Sequence, residues 1–201
     1  MRVVYLLVCL VLLVGCTPSV PGPSAPPPSS AVGSTPSPSP SPSPSPSPSP
    51  TAVESFPALP TGMDPEKSAV LEGWQAYELA VDKHKKDPSL TDYRAVEITT
   101  GGEETSRVVG AIAGLREKGW RRTGDVVSRF VSIDGPVTSS EGVREALVTY
   151  CVEPGYSWTV EIETGKTVVQ QDETLLAQVR MQLMPDGSWR AFWYGSEFRP
   201  C

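Results

Sequence analysis

Read along its length, the chain changes hydrophobic period three times. The first stretch, Val3 to Val14, is an almost unbroken apolar run behind Arg2. It is too short for the roughly twenty residues of a membrane-spanning helix. No apolar periodicity follows until about Met63. From there Val70, Trp74, Tyr77 and Val81 recur at helical spacing behind Asp64-Pro65-Glu66, a capping aspartate with proline at the first helical position. The basic run Lys83-His84-Lys85-Lys86 suits a helix C-terminus, and His84 reads there as a solvated surface residue. Asp87-Pro88 repeats the start signal and predicts a short helix through Leu90, Tyr93 and Ala95. A third helix is expected from Glu103 to about Lys118, with Val108, Ile112 and Leu115 inward and Gly119 ending it.

After Trp120 the period falls to two. Strands are predicted over Val126–Ile133, Arg144–Val152, Trp158–Glu163, Leu175–Met184 and Trp189–Phe198. Leu175, Ala177, Val179, Met181 and Leu183 alternate with Gln178, Arg180 and Gln182, the pattern of a sheet covering a core on one face. Pro154-Gly155, Thr164-Gly165 and Asp186-Gly187 supply turns. Helices followed by a run of strands predict a single α+β domain over residues 63–201.

The N-terminal segment has a separate meaning. Leu13-Val14-Gly15-Cys16 closes the apolar run with small residues leading into a cysteine, and this resembles the lipobox of bacterial lipoproteins. The resemblance implies that residues 1–15 are a signal peptide and that Cys16 carries the lipid. It places the chain at the cell membrane, lipid-anchored on the extracytoplasmic face. If Cys16 is incidental, the protein is simply secreted. From Thr17 to about Thr51 the chain is Ser/Pro-rich, and it alternates Ser with Pro from Thr35 to Pro50. Such a sequence favours polyproline II, so residues 16–52 are read as a disordered tether reaching on the order of 100 Å when extended.

Of the four cysteines, Cys9 leaves with the signal peptide and Cys16 takes lipid. Cys151 and Cys201 are expected to pair in an exported domain, the alternatives being free thiols or an intermolecular bond through Cys201. The net charge is −6, and −7 once Arg2, the one charged residue ahead of Cys16, is removed. With no basic stripe, nucleic acid and anionic lipid headgroups are poor partners for this surface.

The domain resembles the nuclear-transport-factor-two-like (SnoaL-like) domains in small lipoproteins and secreted proteins of high-GC Gram-positive bacteria. Trp74 and Tyr77, Asp87-Pro88, Leu115 with Gly119 and Gly124, Tyr150-Cys151, Glu163-Thr164-Gly165 and Asp186-Gly187-Ser188-Trp189-Arg190 carry the likeness. It implies N-terminal helices packed on a curved, mostly antiparallel sheet around a cone-shaped cavity. In enzymes of that superfamily such a cavity does proton transfer through an inward Asp, His or Tyr.

Asp125 and Tyr150 are the candidates for base and hydroxyl donor, with a turn carboxylate and a packed aromatic as the bland readings. Trp189, Phe192, Trp193 and Tyr194 are the candidate binding residues. Alternation sends Trp189 and Trp193 to one face and Phe192 and Tyr194 to the other, so that one face would line a cavity or partner surface unless helices and sheet curl cover both. Glu153, Glu161, Glu163, Asp172 and Glu173 lack the convergent loop spacing of a calcium site and read as a solvated face. No metal site or cofactor is expected. The reading is a non-enzymatic module for a small apolar ligand or an envelope protein, with a small isomerase- or dehydratase-like enzyme as the alternative.

Overall fold

The computed structural model describes residues 53–201. The expected signal peptide, Cys16 with its expected lipid, and the Ser/Pro-rich stretch read as a tether lie outside the described residues. Helix α1 spans Pro65–Lys86, α2 Arg94–Glu97 and α3 Gly102–Glu117. Seven strands follow: β1 Trp120–Gly124, β2 Ser128–Thr138, β3 Arg144–Val152, β4 Ser157–Glu161, β5 Thr167–Gln170, β6 Leu175–Leu183 and β7 Trp189–Phe198. They form a four-stranded sheet, β2-β3-β6-β7, and a three-stranded one, β1-β4-β5, antiparallel throughout. The class is α+β, as the order of periods predicts.

Helix α1 starts where the sequence places it. The Asp64 carboxylate accepts from the Glu66 and Lys67 amides at 2.9 and 3.2 Å, satisfying donors that the first turn leaves free. The helix touches strands of both sheets, and its stripe of Val70, Trp74, Tyr77 and Val81 is buried. Glycine at position 73 makes this approach possible, because a Cβ there would stand 2.6 Å from the Trp189 carbonyl oxygen. Val148, Ala177, Val179, Met181 and Ala191 complete the core from the sheet side. The folded part also reaches back ahead of Met63. Phe56 packs edge-on against Trp74 at 5.2 Å, and the Ser55 carbonyl accepts from the Ser128 amide.

Five local expectations are corrected. Asp87-Pro88 opens no helix, since the Asp87 carboxylate accepts from both the Ser89 amide and hydroxyl and holds a turn, and α2 begins only at Arg94. Strand β1 lies where no strand was expected, because Arg121-Arg122-Thr123 shows no apolar alternation. The expected strand at Val126 instead begins at Ser128 and runs on to Thr138 through two register shifts. The short, exposed β5 was also unforeseen.

The last correction concerns β7. A bulge at Phe192 lets Met181 face Ala191 while Arg180 faces Trp193. The extra residue inverts the alternation beyond it. Trp189, Ala191 and Tyr194 therefore share the inner face, and Trp193 is outside. A disulfide joins Cys151 to Cys201 with Cα atoms 6.2 Å apart, tying the C-terminus to the end of β3. Among the described residues no helix is long and apolar enough to cross a membrane.

Candidate functional site

Between α1, α3 and the inner faces of both sheets lies a cavity of about 100 Å³. Its walls are polar. Helix α1 contributes Tyr77 and Glu78 from one turn and Lys85 from two turns further on, α3 contributes Arg107, β1 Arg122, β3 Tyr150 and β7 Tyr194. Helical geometry aligns Glu78, Val81 and Lys85, three and then four residues apart on one face, and Tyr77 stands beside them.

The wall is organised as two linked clusters. In the first, the Tyr77 hydroxyl donates to Glu104 Oε1 at 2.6 Å, and Arg107 clamps the same carboxylate through Nε at 2.7 Å and Nη2 at 2.6 Å. The Arg107 guanidinium also lies 4.6 Å from the centre of the Tyr194 ring. The Glu104 side chain is 1 % exposed, so this bidentate pair is the reason a carboxylate can sit there at all. In the second, the Tyr150 hydroxyl donates to Glu78 Oε1. Arg122 reaches Asp82 at 3.4 Å, and Asp82 also takes Lys86 at 2.7 Å. Lys85 differs from its neighbours: among the described residues its amine has neither an ion-pair partner within 4.0 Å nor a hydrogen bond, and it faces the cavity.

Burial dominates the protonation of these groups. It pushes the Lys85 amine down to about 7, helped by the positive charge of Arg122. It pushes the Glu78 carboxyl above the usual carboxylate range, against the opposing effect of the Tyr150 hydrogen bond. The hydroxyls of Tyr77, Tyr150 and Tyr194 are likewise pushed up by burial and remain donors. The cavity thus holds a partly neutral amine, a carboxyl biased toward its acid form and three phenols. Such a set can hydrogen-bond a small polar ligand and exchange protons with it.

Tyr150 lies in this cavity, whereas Asp125 does not. The Asp125 side chain is 59 % exposed and pairs with Lys86 at 2.9 Å on the surface. His84 is buried and not solvated: its ring nitrogens lie 2.8 Å from the Ala80 carbonyl and 2.9 Å from that of Asp92, and the ring stacks on Tyr93. Of the four candidate aromatics only Tyr194 reaches the cavity. Trp189 is core against Gly73, Phe192 lies on Gly101 at the start of α3, and Trp193 stands on the outer sheet face beside Arg180. The expected apolar binding face accordingly divides between core, helix contact and surface.

Glu78, Lys85, Arg107 and Arg122 were not singled out from sequence. A signal was present for two of them, since Glu78 and Lys85 interrupt the apolar stripe of α1 at the positions that face inward. A larger apolar groove of about 330 Å³ lies elsewhere, between residues 57–63, α1 and the exposed Phe130 of β2.

No family model and no curated protein matches the chain. Among solved structures, the chain is similar to the intermembrane-space region of the chloroplast protein ARC6, with 15% identity, a TM-score of 0.46, and 68% of this chain and 98% of that one covered. A ketosteroid isomerase-like protein from Erwinia carotovora atroseptica aligns with 14% identity and a TM-score of 0.46, covering 69% and 100%. A protein from Catenulispora acidiphila aligns with 11% identity and a TM-score of 0.39, covering 66% and 91%.

Proposed function

We propose that this chain is a cell-envelope lipoprotein, anchored at the membrane through acyl chains on Cys16, whose extracytoplasmic domain is a non-enzymatic module that binds a small polar ligand. The lipobox-like Leu13-Val14-Gly15-Cys16 and the tether behind it support the anchor. One observation carries the binding reading: the interior space is lined by ionisable side chains where apolar packing would be the stabler filling. An unpartnered amine costs several kcal/mol to bury, and a ligand that pairs with it recovers part of that cost. The polar lining supports a polar ligand in this cavity in place of the expected apolar one, and a cavity of about 100 Å³ suits a ligand of a few heavy atoms, well below the roughly 300 Å³ of a drug-sized site.

Labelled palmitate should enter the full-length chain and be lost in Cys16→Ala. For the cavity, thermal unfolding of the full chain is followed with acetate, lactate and pyruvate as probes. Saturation at a hundred times Kd adds about 2.7 kcal/mol. For a domain of this size that is a rise of roughly 5–10 °C in Tm. An equal rise in Lys85→Met, or none with any probe, refutes binding in the cavity.

The hydrogen bond from Tyr150 to Glu78 favours one second reading, proton transfer with Glu78 in the role expected of Asp125. That reading requires solvent-deuterium exchange at the carbon beside a bound carbonyl, abolished in Glu78→Gln.

A further inference from the structure

We propose that Lys85 is a covalent capture site, its amine condensing reversibly with the carbonyl carbon of a small keto acid held in the cavity to give a Schiff base. The inference rests on the cavity being a ligand site and adds the chemistry of the ligand.

Three features of the geometry point this way. Every other cation at the site is occupied, Arg107 by Glu104, Arg122 by Asp82 and Lys86 by Asp82 and Asp125, while Lys85 is not. Lys85 itself lines the cavity, where a ligand would stand. Arg107 and Arg122 line the same small space, and their positive charge favours a ligand that carries a carboxylate. Burial supplies the reactivity, since an amine brought to about 7 is roughly half free base at neutral pH, against less than about 0.1% for an ordinary lysine.

The step balances within the site. The Lys85 lone pair forms the C–N bond, the carbonyl π pair moves to oxygen, and one proton passes from nitrogen to that oxygen to give a neutral carbinolamine. Glu78, held toward its acid form by burial, then protonates the hydroxyl. The C–O bond breaks, water leaves and the nitrogen pair closes the C=N bond. The product is an iminium ion facing the Glu78 carboxylate. Tyr150 orients that carboxyl through its hydrogen bond and is a positioning residue. Neither oxidant nor reductant is consumed, and water reverses the capture.

The test is reductive trapping. The full-length chain in detergent is incubated with pyruvate and sodium cyanoborohydride, and modified lysines are located by peptide mass. A reduced 1-carboxyethyl group should appear on Lys85 at least about tenfold faster than on Lys83 or Lys86 at pH 7. The rate should be half-maximal near pH 7 and fall about tenfold or more in Glu78→Gln. Labelling of Lys85 no faster than of Lys83 overturns the proposal, and an unchanged rate in Glu78→Gln overturns the assigned acid. Pyruvate that raises Tm without trapping on Lys85 defeats covalent capture and leaves the binding reading standing. No trapping and no rise in Tm defeats both.

Discussion

Glycine 73 sits in the interior of α1, where alanine normally stabilises a helix by about 1 kcal/mol. Here the sign should reverse. A Cβ at this position would meet the Trp189 carbonyl oxygen at 2.6 Å and the Trp189 Cβ at 2.8 Å. Neither atom can yield cheaply, because β7 is paired along its length with β6. Overpacking of this kind costs about 1–3 kcal/mol, so once the helix gain is subtracted Gly73→Ala should lose up to about 2 kcal/mol net. Gly110 and Gly114 on α3 provide the contrast, since a Cβ at either meets nothing within 4 Å. Alanine there should gain up to about 1 kcal/mol. Urea denaturation measures all three. With a slope of about 2 kcal/mol/M, the midpoint should fall by up to about 1 M in Gly73→Ala and rise by up to about 0.5 M in the other two. A midpoint for Gly73→Ala that rises with the controls refutes the close α1–β7 approach, and with it the placement of Glu78 and Lys85 against Tyr150 and Tyr194.

Removing the disulfide by Cys151→Ser with Cys201→Ser should cost about 4 kcal/mol on the chain-entropy account of a loop whose ends are 50 residues apart, read as a lower Tm that no longer responds to reductant. Glu104→Ala strips Tyr77 and Arg107 of their shared partner and should destabilise by about 2–4 kcal/mol in the same urea assay, with Glu104→Gln less damaging because it still accepts the phenol. Lys85 binds its proton less tightly folded than unfolded, so between about pH 7 and the ordinary lysine value of 10.5 its contribution makes stability rise with pH. Glu78, whose pKa is raised on folding, acts oppositely, its contribution being present below 4.5 and lost as pH climbs through its folded value. Lys85→Met should therefore be more stable than the parent at pH 7 and show a flatter stability profile above it. Parallel profiles for parent and variant would show that the amine is not buried.

Much of the secondary structure was legible because each element obeys a local rule. Asp64-Pro65 starts α1 through its own side chain and fixed φ, β6 alternates without interruption, and β3 and β7 begin and end where their turn residues stand. Where the pattern depends on a partner strand, local reading failed. Strand β1 carries Arg121-Arg122-Thr123 because its pairing with β4 comes from backbone hydrogen bonds, which leave no trace in side-chain period. The bulge at Phe192 moved Tyr194 inward and Trp193 outward, and one extra residue in a period of two inverts every later assignment.

The amino-acid sequence by itself determined the α+β class, the cap and apolar stripe of α1, the alternation of β6 and the pairing partner available to Cys151. Tertiary structure alone decided the site. Glu78, Lys85, Arg107, Arg122, Tyr150 and Tyr194 come from five elements and become neighbours only when α1 and α3 close on two sheets. Sequence also gave no means of telling the surface pair Asp125–Lys86 from the buried Tyr150–Glu78. The physical reason is that burial depends on what covers a residue, and the covering groups lie tens of residues away along the chain: 39 positions for the first pair and 72 for the second.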